Sequence, residues 1–61
     1  MLTFDDLLEV VAVKRDGVWL GTIEGWEGEA RYVHSPDRRE TFNSLRVEEL
    51  REIIAKMEEF L

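Results

Sequence analysis

Sixty-one residues carrying 14 acidic and 8 basic side chains, a formal charge of −6 and no cysteine describe one small acidic domain spanning residues 1–61. A chain this short buries only about 60% of its unfolded surface, and without cysteine it has no disulfide or thiolate metal site to brace it. The acidic excess repels phosphate backbones and anionic lipid, which disfavours nucleic acid and membrane and favours a basic protein surface.

Residues 1–9 open with the signals of a short helix. Thr3 can cap, Asp5 and Asp6 fall in the first turn, and Leu2 and Leu7 suit a hydrophobic staple. Residues 10–23 carry the strongest β signal, two β-rich runs flanking Asp16-Gly17, a pair that favours a tight hairpin. A two-residue turn there pairs Arg15 with Val18 and Val13 with Leu20. A three-residue loop pairs Lys14 with Val18 and Val13 with Trp19, and one slip reverses faces. Gly25-Trp26-Glu27-Gly28 is the next break. A third strand over residues 29–34 places Ala30, Tyr32 and His34 on one face, and Ser35-Pro36-Asp37-Arg38 makes a turn. Residues 39–42 read as a fourth, edge-like strand.

Residues 44–61 form one amphipathic helix. Val47, Leu50, Ile54, Met57 and Leu61 recur at alternating steps of three and four, and Ile53 and Phe60 widen the stripe to the breadth of a helix lying on a sheet. The expectation is that Leu50, Ile54 and Met57 are buried on the hairpin. Ser44 is the better capping side chain, whereas Arg46 at the N-cap would put Glu48 and Glu49 in the first turn. Glu52 and Lys56 are spaced to pair. The fold class is therefore α+β: a short N-terminal helix, a three- or four-stranded antiparallel meander, and a long C-terminal helix across one face.

Catalysis is disfavoured. The single histidine, His34, has only its sequence neighbour Ser35 as an adjacent nucleophile, and its expected role is a strand-end imidazole beside Tyr32. The paired carboxylates Asp5/Asp6, Glu48/Glu49 and Glu58/Glu59 diverge on a helix, and the glycines match no phosphate-binding spacing. A non-enzymatic protein is expected, with no catalytic residue, metal or cofactor and a cytoplasmic location.

Charge layout is more informative. A meander brings its alternate turns together, so Lys14, Arg15, Arg38 and Arg39 gather at one end. Glu24, Glu27, Glu29, Asp5, Asp6 and Glu9 gather at the other, with Glu48 and Glu49 expected beside them. Trp26, between glycines and glutamates, is the more exposed tryptophan, an anchor within steering charge. Glu24, Trp26, Glu27 and Glu29 thus form the expected protein-binding site. Phe60 and Leu61 leave apolar surface at the helix end, from which a homodimer is expected.

Three strands followed by a helix, with Gly17-Val18-Trp19 early and Thr41-Phe42-Asn43-Ser44 leading into the helix, resemble the arm-binding domain of tyrosine integrases over roughly residues 16 to 56. That resemblance implies DNA contact through the sheet, with Lys14, Arg15, Arg31, Arg38 and Arg39 as the available cations. Trp19 or Tyr32 could serve a nucleic-acid surface as a stacking platform. The leading expectation is a small acidic protein-binding module, of the kind that inhibits or regulates by occupying a nucleic-acid-binding groove. Nucleic-acid binding and a self-associating structural subunit are the alternatives.

Overall fold

The computed structural model describes residues 2–26, 28–37 and 44–61. Four strands, β1 (Leu2–Asp6), β2 (Val10–Arg15), β3 (Val18–Trp26) and β4 (Glu29–His34), form one antiparallel sheet in chain order. Among the described residues one helix, α1 (Val47–Glu58), packs on one face through Ile53 and Met57, with Phe60 just past its end. The architecture is α+β, but among the described residues the short N-terminal helix is not seen, and residues 2–6 are β1 instead. The strand expected over residues 39–42 lies outside the described residues.

The physical reason for that correction is local. About six helical residues return too few hydrogen bonds to offset nucleation. The same stretch alternates apolar Leu2 and Phe4 with polar Thr3 and Asp5, which is a period of two. As a strand it pairs Leu2 with Arg15 and Asp6 with Val11, buries Leu2 in the core and packs Phe4 against it. Lys14 adds a 2.8 Å ion pair to Asp5.

Asp16 (φ 50°) and Gly17 (φ 83°) both take left-handed backbone, so the hairpin closes with a two-residue turn. Arg15 pairs with Val18 and Lys14 with Trp19, and the register then shifts so that Val13 meets Gly21 rather than Leu20. This irregularity, a β-bulge, lets Leu20 and Ile23 both enter the core although strict alternation would separate them. On the helix side, β3 then presents Gly21, Ile23 and Gly25, opposite His34, Tyr32 and Ala30 of β4. A Cβ on Gly21 would overlap Tyr32, and one on Gly25 would overlap the Phe60 ring. Glycine at these two positions makes room for the aromatic rings to lie on the sheet.

The core is Leu2, Val11, Val13, Leu20, Ile23 and Ile53, with Phe4, Tyr32, Leu45, Met57 and Phe60 packed against it. Here the helix departs from expectation. Leu45, Glu49, Ile53, Met57 and Phe60 turn toward the sheet, while Val47, Leu50, Ile54 and Leu61 are between 43 and 73% exposed. Relative to its apolar stripe the helix is rotated so that only one border of the stripe is covered. Of the three residues expected to be buried, only Met57 packs on the core. Among the described residues, no helix is long and apolar enough to cross a membrane.

Candidate functional site

The β1–β2 turn, the β3–β4 turn and the C-terminal end of α1 meet at one end of the sheet. Exposed apolar side chains stand there, among them Leu7, Leu8 at 99% exposure, and Trp26 at 54%. Leu7 donates its backbone N–H to the Val10 carbonyl at 2.8 Å, which closes a turn too tight to bury both leucines. Trp26, at the end of β3, has the Arg31 guanidinium 5.6 Å from its ring centroid, and Arg31 in turn pairs with Glu24 at 2.8 Å. This contact restrains the indole while leaving it solvent-accessible. Between these groups lies an open concavity of about 770 Å³, lined by Asp6 to Val11, Glu24, Gly25, Trp26, Arg31 and Phe60.

The helix end is tied into the same region. Gly28, in left-handed backbone (φ 78°), donates its N–H to the Phe60 carbonyl at 3.2 Å, and the Phe60 ring lies over Gly25. Phe60 therefore packs within its own chain, and Leu61 is the exposed residue of the pair. Asp6, Glu9, Glu24, Glu29, Glu58 and Glu59 surround this end, relieved by Arg31 and by Lys56, which reaches Glu59 at 3.2 Å and Asp6 at 4.0 Å. The helix C-terminus adds its own partial negative charge. Of the expected binding residues, Glu24, Trp26 and Glu29 fall here together; Glu27 lies outside the described residues.

The opposite end is less basic than its sequence suggests. Arg15 forms a two-pronged ion pair with Glu49, Nε to Oε2 at 2.7 Å and Nη2 to Oε1 at 2.6 Å, and also donates to the Ser44 carbonyl at 2.8 Å. Glu49 accepts the Arg46 backbone N–H at 2.9 Å, which makes Arg46 the N-cap and places Glu48 and Glu49 in the first turn. Glu49 thus sits at the end opposite the acidic one, a correction to its expected place. It is 6% exposed. Its hydrogen bond from Arg15 outweighs desolvation and, with the Arg46 amide, lowers its pKa from 4.5 to about 2. Lys14 is engaged by Asp5 and lies 5.8 Å from the centroid of Trp19 on the sheet face away from the helix. Arg38, Arg39 and the Thr41-Phe42-Asn43 segment lie outside the described residues.

His34 stands beside Tyr32, with ring centroids 5.8 Å apart and 2.7 Å between the phenol oxygen and Nδ1. Burial raises the Tyr32 pKa. The Tyr32 ring covers Gly21 on the helix side. Sequence reasoning missed Leu7 and Leu8 because it placed them in a helix. Their signal was adjacency: two leucines after Asp5-Asp6 cannot both face one core from a tight turn. No protein-family model, curated protein or solved structure matches the chain.

Proposed function

We propose that the protein is a non-enzymatic binding module that engages a basic protein surface through its acidic end, with Trp26 and Leu8 as anchors. The observation that carries this reading is the coincidence of exposed apolar side chains with the densest negative charge, around one concavity. Interfaces draw affinity from a few aromatic or aliphatic anchors and draw encounter rate from complementary charge. A protein groove that ordinarily holds nucleic acid offers such a surface, and a compact acidic domain seated in it would act as an inhibitor or regulator of that partner.

Wild-type protein and variants immobilised as bait separate the two contributions. Trp26→Ala should lose captured partners mainly through faster dissociation. Glu9→Lys with Glu29→Lys should slow association, and wild-type association should itself slow as ionic strength rises. A gel-shift titration with duplex DNA and RNA at physiological salt should show no useful affinity. Tight nucleic-acid binding abolished only by reversing Arg38 and Arg39 would replace this reading with the DNA-binding one.

A further inference from the structure

The exposed border of α1 is a second surface, remote in chemistry from the acidic end. Val47, Leu50 and Ile54 run along its solvent side, with Met57 half-buried on the same line and exposed Leu61 just past the helix end. From Val47 to Met57 the spacing of three, four and three is that of the a and d positions of a heptad, the seam that a second helix fits. Over that stretch the seam is roughly 15 Å long, at about 1.5 Å per residue. One flank of this seam is closed by the protein's own sheet, because Ile53 and Phe60 pack there. The other flank carries exposed Arg51 and Glu58, one heptad apart, and neither has an ion pair among the described residues. Seven residues apart on one helix, they are too far to pair with each other.

We propose that this seam is covered by a second copy of the chain, the two α1 helices packing antiparallel about a two-fold axis. Antiparallel packing sets a against d, so Ile54 meets Met57 of the second copy and Leu50 faces the end of its helix. The same register brings Arg51 of each copy opposite Glu58 of the other, two reciprocal pairs from one symmetry element. A parallel arrangement would instead set Arg46 against Arg51, which repel. It would also bring the two acidic ends side by side, because α1 ends at that pole. Antiparallel packing holds those ends apart and leaves both concavities open.

Sedimentation of the full chain across a micromolar concentration series tests this. The wild type should form a dimer, and Ile54→Glu should be monomeric with an unchanged circular dichroism spectrum. Arg51→Glu alone and Glu58→Arg alone should each weaken the dimer roughly tenfold by creating two like-charge contacts. The double variant, or a mixture of the two single variants, should restore it. Rescue by the swap is an outcome that a merely structural role for either residue does not produce. A wild type that stays monomeric would overturn the proposal and leave the seam to a different protein or a further segment. A dimer indifferent to Ile54→Glu, or single reversals not rescued by the swap, would place the contact elsewhere and overturn it equally. None of these outcomes depends on the partner captured by the acidic end.

Discussion

Glu49→Gln is expected to leave most of the protein unfolded at neutral pH. The substitution keeps the side-chain shape but strands the Arg15 guanidinium, whose side chain is only 17% exposed, without its counter-charge. Removing one member of a buried, hydrogen-bonded ion pair costs ~3–5 kcal/mol, and a domain of this size has a net stability of about that magnitude. Replacing both partners, Arg15→Met with Glu49→Leu, should recover much of the loss, because two apolar groups need no compensation in that site. Urea denaturation followed by circular dichroism compares the three proteins directly, and a Glu49→Gln midpoint equal to wild type would show that the pair contributes nothing. The same carboxylate makes a pH prediction. Its pKa is lowered by folding, so the unfolded chain takes up the proton first as pH falls. The stabilisation is complete above about pH 4.5 and drains away toward pH 2, the interval between the unfolded and folded values. Above pH 4.5 the denaturation midpoint should owe no slope to this group.

Ile53→Ala should cost ~2–5 kcal/mol, the range for a buried aliphatic side chain cut to a methyl. Ile53 is 2% exposed and is the helical member of the core cluster, so its loss opens a cavity between helix and sheet. Leu50→Ala removes a side chain that is 43% exposed and should cost well under half as much in the monomer. A pair of thermal melts decides it: equal losses would mean that the helix sits on the sheet by the centre of its apolar stripe after all.

These two variants also mark what the sequence made legible. The amphipathic helix, the Asp16-Gly17 hairpin and the strand over residues 29–34 all follow from local periodicity and turn chemistry, and all are present. The helix is shorter than the expected residues 44–61, and of its two possible starts the structure has the one capped at Arg46 rather than Ser44. Which arc of the helix meets the sheet does not follow, because the apolar stripe is wider than the contact. A buried carboxylate with a partner 34 residues away then outweighs an extra leucine. The bulge in β3 is likewise invisible to a pattern read as strict alternation, since Leu20 and Ile23 belong to opposite faces until one register shift unites them. At residues 2–6 the short-range helix signals and the two-residue period conflicted, and only pairing with β2 resolves them. Of the candidate site, Glu24, Trp26 and Glu29 were legible as an end of the meander. Leu7 and Leu8 joined them only once β1 was seen to be a strand.

The strand order has a kinetic consequence. Every strand pairs only with its neighbour along the chain, so the sheet closes through turns of two or three residues where the loops are described. Short closures carry little chain entropy, and folding rates rise as contacting residues lie nearer in sequence. Among the described residues the distant closure is the docking of α1, clamped at its start by Arg15 and Glu49 and at its end by Gly28 and Phe60. The hairpins should therefore organise early and the helix lock last. Stopped-flow refolding should then respond little to Glu49→Leu in the Arg15→Met background, with the change appearing in the unfolding limb instead.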